Sequence, residues 1–334
     1  MNPHQNELQK TLHSGKIGQG KKVEQFEELL SKLFNRTALA TNSGTSALQI
    51  ALSCFPGRQF VFLSGFGCFA TIAAVINSGK VPVWVDIDQD LNLDPKDLEQ
   101  KISGREQNSI VLPVHLCGRV CRVPSLDKVI VIEDCAQAFG ARFQFDPHRF
   151  YCFSFQAVKT LTTGDGGCIL PALGYENLVK KLRWFGLDRK LTRSQDVAMI
   201  GGKYHMNNLN ASIGIANLNL ALYSVFQQVN NARLIQQVCD RVGLPWSENG
   251  SYPTFPLLVS DPARAKDIFA SHGVEATTFL SRIDTKSVLK QFLTRLPTTE
   301  YVANRFLEVP CGWWCGQSDI NNIRQAIIKL EKFH

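Results

Sequence analysis

Several familiar patterns are missing from this 334-residue chain, and each absence argues against a class of protein. No apolar run approaches the roughly 20 residues that cross a bilayer, so we expect no membrane-spanning segment. The first ten residues, MNPHQNELQK, lack the apolar stretch of a signal peptide, so we expect a cytoplasmic protein. The 36 Lys and Arg residues form no block of five or six. The net charge of +7 therefore predicts a solvated basic surface and no nucleic-acid partner.

Metal-binding and disulfide patterns are also missing, although the chain has ten cysteines. The pairs Cys117 and Cys121, and Cys311 and Cys315, lack the two-residue spacing of a zinc knuckle, and no His follows at finger distance. We therefore expect no metal site and reduced cysteines in the core. Neither GxGxxG nor a P-loop occurs, so the standard glycine-rich phosphate motifs are absent.

Hydrophobic periodicity predicts an α/β fold. Residues 23–34 (VEQFEELLSKLF) carry apolar side chains at helical spacing. Apolar strands then alternate with helical segments; these strands are QFVFLSGF, VPVWVDID, SIVLPVH and KVIVIE. Such alternation is typical of a mostly parallel sheet with helices on both faces. Short strands and helices follow Pro245, so we expect a large domain of residues 1–220 and a smaller α+β domain of residues 221–334.

A first candidate site is the segment NSGTS, which contains Gly44, Thr45 and Ser46. It lies between a predicted strand and the helix that follows. The start of a helix has free backbone N–H groups and the positive end of the helix dipole, which together bind phosphate. Ser and Thr are also favoured as ordinary helix caps, so the segment alone fits either interpretation.

A second candidate is Asp134, directly after the apolar strand KVIVIE. Ligands of open parallel sheets bind at the carboxyl ends of the strands, so this carboxylate faces the expected crevice. It could hold a ribose hydroxyl, a metal ion or a protonated ring nitrogen. A salt-bridged or helix-capping Asp is an equally good interpretation of the motif in isolation.

A third candidate is Lys159, between the apolar strand that contains Ser154 and the glycine-rich turn GDGG. Its apolar neighbours indicate a lysine held over a ligand. A lysine that loses its hydration becomes a nucleophile or general base. The segment GGKYHM, which contains Lys203, precedes a long predicted helix. It is either a plain loop or a segment that reaches a neighbouring site across a subunit contact.

The order of these motifs resembles the DegT/DnrJ/EryC1/StrS family. The resemblance rests on SGT, EDxAQ, SFxxxK with GDGG, and YxM before an Ala-rich helix, and PVWVDID, LPVHLCG and HGVEATTF fall in the same order. Members are pyridoxal 5'-phosphate enzymes of the aspartate-aminotransferase fold, and most aminate nucleotide sugars. The resemblance therefore implies fold type I with a small C-terminal domain, and a homodimer whose active sites are shared between subunits.

The resemblance also implies a role for each residue of the site. Lys159 would hold the cofactor as an internal aldimine, and Asp134 would pair with the pyridinium nitrogen. Gln137 would lie beside the phenolic oxygen. Gly44, Thr45, Ser46 and Ser154 would bind the phosphate. Two further residues depart from the family: Cys68 stands where an aromatic side chain usually stacks on the ring, and Lys203 stands where Asn usually reaches the phosphate of the adjacent subunit.

The implied reaction is transamination with pyridoxamine phosphate as the intermediate form of the cofactor. L-glutamate would be the amino donor, and the acceptor would be the keto group of a nucleotide-linked deoxysugar of a polysaccharide pathway. Some members are sugar dehydratases in which His replaces the lysine, so Lys159 favours transamination. A non-catalytic, cofactor-binding homologue is the other alternative.

Overall fold

The computed structural model describes residues 3–188, 196–197 and 199–332. Within these ranges the helices are α1 (Pro3–His13), α2 (Lys21–Phe34), α3 (Gly44–Ser53), α4 (Phe69–Asn77), α5 (Pro95–Ile102), α6 (Glu176–Leu182), α7 (Asn208–Gln236), α8 (Pro262–Ser271), α9 (Pro297–Ala303) and α10 (Gln317–Glu331). The strands are β1 (Leu39–Thr41), β2 (Phe60–Ser64), β3 (Phe66–Gly67), β4 (Val81–Val85), β5 (Ser109–Val111), β6 (Ile130–Asp134), β7 (Phe150–Ser154), β8 (Gly167–Leu170), β9 (Thr254–Leu258), β10 (Ser281–Arg282) and β11 (Phe306–Pro310).

A seven-stranded sheet forms the centre of the large domain, in the order β1-β8-β7-β6-β5-β2-β4. The five strands from β7 to β4 are parallel, and β8 runs antiparallel to both of its neighbours. Strand β1 therefore points the same way as β7 and β6. The carboxyl ends of these three strands meet at one edge of the sheet, where α/β proteins bind their ligands.

Local sequence explains where the elements begin and end. Helix α2 buries Val23, Phe26, Leu30 and Phe34, which recur at helical spacing, and Asn35 ends it in the left-handed conformation with φ 50°. This confirms the predicted helix. The predicted strand SIVLPVH is shorter than expected, because regular pairing ends at Val111. Pro113 follows two residues later and has no N–H to donate to a strand ladder.

The C-terminal part has its own core around the antiparallel pair β9 and β11. Helices α8 and α10 pack on this core, and the end of α7 contributes Ala232 and Ile235. The first part of α7 packs against α1 and α2, which belong to the large domain. The proposed division near residue 220 thus falls inside one continuous helix.

Helix α7 has 29 residues and corresponds to the long helix predicted after the segment GGKYHM. By length and composition alone it is suited to cross a membrane, and 33% of its most apolar window is buried. It contacts α1, α2 and α10 in the structure. One such helix is weak evidence for a membrane span, because core helices of globular proteins have the same length and composition.

All ten cysteines are free thiols, and eight of them are buried. The two others, Cys68 and Cys239, are partly exposed. Burial raises the pKa of the Cys54 thiol to about 12, and it raises those of Cys117, Cys135 and Cys152 as well. Such thiols stay protonated and unreactive, as expected for reduced core cysteines.

Candidate active site

The carboxyl edge of the sheet brings the predicted site residues together. Gly44 begins the helix that follows β1, Asp134 ends β6, and Ser154 ends β7. Lys159 lies in the turn after β7, where its backbone N–H donates to the carbonyl of Gln156 at 2.8 Å. Three strand ends of one sheet therefore supply the phosphate, carboxylate and lysine elements predicted from the sequence.

The first turn of α3 has free hydrogen-bond donors. Ser43 is its N-cap, and its hydroxyl accepts from the backbone N–H of Ser46 at 3.0 Å. The N–H groups of Gly44 and Thr45 lie in the same turn and have no intrahelical acceptor. The Ser46 hydroxyl lies 2.9 Å from that of Ser43. Two backbone donors and the helix dipole make this turn suitable for an anion.

Close packing brings Ser154 against this turn. A Cβ atom built on Gly44 would lie 2.7 Å from Cβ of Ser154, so a side chain at position 44 would displace it. A Cβ on Gly167 would likewise lie 2.6 Å from the carbonyl carbon of Ser43. The ends of β7 and β8 thus pack closely against the turn, and the phosphate role of the turn stays a prediction.

Asp134 is a buried carboxylate, only 3% exposed. Its Oδ2 accepts from the Thr71 hydroxyl at 2.7 Å, and its Oδ1 accepts from the Ala136 N–H at 3.0 Å. Burial raises the pKa of Asp134, although these two donors and the Lys159 ammonium act in the opposite direction. A buried carboxylate with fixed orientation fits a cationic partner such as a protonated ring nitrogen. Thr71 lies in the first turn of α4, and no sequence motif singles it out.

Lys159 lies within electrostatic reach of two buried carboxyl groups, because its ammonium lowers the pKa of both Asp134 and Glu308. Glu308 is 6% exposed, lies on β11, and accepts from the Thr254 hydroxyl at 2.7 Å. Burial is the largest effect on Glu308 and raises its pKa overall. Nothing in the sequence distinguishes this glutamate from a surface one, since only the fold brings β11 towards β7.

Gln137 is partly buried and follows β6 by three residues. Its Oε1 accepts from the backbone N–H of Cys117 at 2.7 Å. Since a backbone N–H only donates, the atom facing it must be the amide oxygen. The amide nitrogen of Gln137 therefore points away from Cys117.

Cys68 and Lys203 stay predictions as cofactor contacts. Cys68 is the partly exposed N-cap of α4. Of its aromatic neighbours, Phe66 is buried against Phe306 at 5.0 Å between ring centroids, and Phe69 is exposed on α4. Lys203 has an exposed side chain, and its carbonyl accepts from the Asn42 amide at 3.1 Å. Asn42 lies two residues before Gly44, so this contact fixes the Lys203 backbone and leaves its side chain exposed.

A chain of polar and charged side chains, His115, Glu133 and Arg149, adjoins Asp134. No sequence motif indicates it. The Cys121 N–H donates to Nδ1 of His115 at 2.9 Å, so the ring proton lies on Nε2, which is 2.9 Å from Oε2 of Glu133. Arg149 Nη1 lies 3.1 Å from the other oxygen of Glu133. Burial would raise the pKa of Glu133, but His115 and Arg149 outweigh it and lower the pKa. The backbone N–H of His115 donates to the backbone carbonyl of Asp134 at 3.1 Å, and this bond fixes the end of β6.

Replacing His115 by Leu should destabilise the protein, because Glu133 would lose a buried donor that lies 2.9 Å away. Losing a hydrogen bond to a charged group costs about 1.5–3 kcal/mol of unfolding free energy. The measurement is the denaturant midpoint of the apoprotein. His148 is exposed, and His148→Leu should change the unfolding free energy by less than about 0.5 kcal/mol. Equal losses in the two variants would contradict a structural role for the buried chain.

Comparisons with known proteins identify the family of the chain. The model of the DegT/DnrJ/EryC1/StrS aminotransferase family matches residues 2–328. The chain is 32% identical over 282 residues to the 3-oxo-glucose-6-phosphate:glutamate aminotransferase of Bacillus subtilis. This alignment covers 78% of the present chain and 63% of the relative. It is 32% identical over 215 residues to the GDP-perosamine synthase of Caulobacter vibrioides, covering 60% of this chain and 57% of the relative.

A solved structure extends the likeness to almost the whole chain. The sugar aminotransferase CalS13 from Micromonospora echinospora superposes with a TM-score of 0.89 at 25% identity, covering 98% of this chain and 96% of that one. This likeness confirms the predicted aspartate-aminotransferase fold, with its mostly parallel sheet and small C-terminal domain. The curated relatives match over only about three fifths of their own length. On the family match and the fold together, the chain belongs to the DegT/DnrJ/EryC1/StrS aminotransferase family.

Proposed function

We propose that this protein is a pyridoxal phosphate-dependent aminotransferase that moves an amino group from L-glutamate to a keto group of a nucleotide-linked deoxysugar. The observation that carries the proposal is the placement of Lys159 and Asp134. They lie at neighbouring strand ends within electrostatic reach of each other, beside the free N–H groups of α3. In this proposal the protein acts in the cytoplasm, and its substrates are a nucleotide sugar and an amino acid.

The residues present fit this cofactor at each of its polar groups. The phosphate would be held by the N–H groups of Gly44 and Thr45 and by the hydroxyls of Ser46 and Ser154. Glycine at position 44 permits the close approach of Ser154 to this turn. Asp134 would pair with the ring nitrogen, and the amide nitrogen of Gln137 would donate to the phenolic oxygen. When bound, the cofactor supplies an electron sink for negative charge on the donor α-carbon.

The protein's own groups perform the proton chemistry in this proposal. Asp134 would keep the ring nitrogen protonated, which requires its ionised form despite its burial; Thr71 and Ala136 stabilise that form. The side-chain amine of Lys159 would hold the cofactor until the amino donor binds. The free amine of Lys159 would then act as the general base that takes the proton from the donor α-carbon, and it would serve the same role with the keto sugar.

The names of the relatives support the substrate classes. One relative is a glutamate aminotransferase of a phosphorylated 3-oxo sugar, and another is a synthase of a GDP-linked amino sugar. Both names describe a sugar that carries phosphate. The net charge of +7 suits such a substrate, because Lys and Arg pair with phosphate oxygens.

The direct test uses glutamate labelled with ¹⁵N at its amino group. The protein, with pyridoxal phosphate, is incubated with labelled glutamate and a panel of nucleotide-linked keto sugars, with a keto sugar 6-phosphate included. We expect the label in an amino sugar and the release of 2-oxoglutarate, both detected by mass spectrometry. Loss of water from a sugar without label transfer would indicate a dehydratase instead. Release of neither product from any acceptor would contradict the proposal.

We also propose a homodimer in which Lys203 of one subunit serves the phosphate site of the other. The homodimer is supported by exposed apolar side chains: Val158, next to Lys159, is 77% exposed, and Tyr223 and Phe226 are exposed on α7. The role of Lys203 is the one that the resemblance to the family implies. A second copy of the chain would cover these side chains. Sedimentation should give twice the mass of one chain.

Lys203→Ala should weaken cofactor binding roughly tenfold, the usual effect of losing one hydrogen bond to a charged group. The dissociation constant is measured by titrating the apoprotein with pyridoxal phosphate. Lys180 is exposed on α6 and provides the control. If Lys180→Ala weakened binding as much as Lys203→Ala, the proposed contact of Lys203 with the phosphate would be wrong.

A further inference from the structure

The turn that follows β5 has an unusual backbone. Cys117 has φ 53° and ψ 27°, and Gly118 has φ 73°, so two successive residues adopt the left-handed conformation. For a residue with a side chain this conformation carries a steric cost. In this conformation the backbone N–H of Cys117 donates to Oε1 of Gln137 at 2.7 Å.

The small domain fixes this turn from the outside. A Cβ atom on Gly118 would lie 2.6 Å from the Ser251 hydroxyl, 2.7 Å from Cδ of Pro253 and 2.8 Å from the Tyr252 nitrogen. The Ser251 N–H also donates to the Gly118 carbonyl at 3.0 Å. Backbone atoms and a proline ring have little freedom to move away. The segment 251–253 therefore determines where the turn lies.

The side chain of Cys117 adds a second link to the small domain. Its thiol is fully buried and contacts the Thr254 hydroxyl. Thr254 in turn donates to Glu308 at 2.7 Å. A continuous set of contacts thus runs from the small-domain pair β9 and β11, through the turn, to the amide of Gln137.

We propose that the Cys117–Gly118 turn is a positioning element that sets the amide orientation of Gln137 according to the position of the small domain. This inference rests on the proposed function, in which Gln137 faces the cofactor. Because the turn holds the amide oxygen, the amide nitrogen is presented to the phenolic oxygen of the cofactor. If the turn moved, the amide would be free to rotate and to present its oxygen, which repels an ionised phenolic oxygen.

The test compares two glycine variants that share the same backbone strain. Gly118→Ala introduces a methyl group into the contact with residues 251–253. Gly104→Ala is the matched control, because Gly104 has φ 76° and no atom within 4 Å of a built Cβ. Both variants carry the cost of a left-handed alanine, so only the contact differs. The readouts are the visible absorption band of bound pyridoxal phosphate, its pH midpoint, and the dissociation constant of the cofactor.

We expect Gly118→Ala to shift the band or its pH midpoint and to weaken cofactor binding roughly tenfold. Gly104→Ala should match the unmodified protein in all three readouts. In a Gln137→Ala background the Gly118→Ala change should produce no further shift, because both act through the same amide. If Gly118→Ala does not fold, Cys117→Ala replaces it. We then expect a smaller shift of the absorption band or of its pH midpoint.

Two results would overturn the inference: a spectrum of the turn variant identical to that of the unmodified protein, or a shift of equal size with and without Gln137. Either result leaves the proposed function intact, because the unmodified protein still shows its band. Absence of a band in the unmodified protein with pyridoxal phosphate would overturn the proposed function and the inference with it.

Discussion

Replacing Lys159 by Ala should abolish turnover, with a loss on the order of 10⁴-fold or more, because one side chain supplies both a nucleophile and a general base. The variant should still fold, since Lys159 is only partly buried in a turn at the sheet edge. Added ethylamine should restore part of the activity, because a free amine takes over the proton transfer. The measurement is the rate of label transfer from glutamate to the keto sugar.

The matched control is Lys96→Ala, since Lys96 is exposed in the first turn of α5, far along the chain from the site. Its activity should equal that of the unmodified protein. An active Lys159→Ala variant without added amine would show that another group holds the cofactor. The assignment of Lys159 would then be wrong.

Asp134→Asn should lower the transamination rate by about 10²–10³-fold, the usual cost of removing one preorganised electrostatic contact. The amide has no charge to keep the ring nitrogen protonated. The same change should make the apoprotein more stable at neutral pH. An ionised carboxylate buried without its cationic partner is unfavourable, and Asn removes that charge. Its amide oxygen can still accept from the Ala136 N–H, and its amide nitrogen can donate to the Thr71 hydroxyl.

The direction of the pH dependence follows from the raised pKa of Asp134 in the folded state. Below its unfolded pKa, near 3.9, the group is protonated in both states and costs nothing. As the pH rises through the folded pKa, the folded state loses stability relative to the unfolded one. Apoprotein melting temperatures should therefore be equal for the two proteins near pH 3 and higher for Asp134→Asn at pH 7.

Asp165→Asn is the control, because Asp165 is exposed in the turn after Lys159. It should show no such difference between the two pH values. A lower melting temperature of the Asp134→Asn apoprotein at pH 7 would mean that the buried carboxylate stabilises the fold. Ionised Asp134 would then not lower the stability of the apoprotein, as the raised pKa predicts that it does.

Strand ends and their polar residues were predictable from the sequence. The apolar strand KVIVIE followed by Asp134, and the strand before Ser154 and Lys159, are local patterns that do not depend on distant contacts. Parallel pairing then brings these ends together. For the segment around Gly44 the sequence alone fits a plain helix cap or a phosphate cradle. The close approach of Gly44 to Ser154 could not be predicted, because it joins residues about a hundred positions apart.

The missed residues all act through tertiary contacts. Thr71 reaches Asp134 from the start of α4, and Glu308 reaches towards Lys159 from the last strand. A Thr in an apolar helix and a Glu in a short strand have many ordinary explanations. The backbone of Cys117 is equally hidden, because a left-handed conformation is usually found at Gly or Asn. Residues 251–253 pack against the next residue of the turn, Gly118, and this contact too depends on the tertiary structure.

The measurement that tests the central claim most directly is the visible absorption of the purified protein with pyridoxal phosphate, before and after addition of L-glutamate. A cofactor held by Lys159 absorbs in the visible, and an amino group taken from glutamate removes that absorption. We predict a yellow band that disappears with glutamate and returns with 2-oxoglutarate. No band at all, or a band that no amino acid removes, would contradict the account of this protein as an aminotransferase.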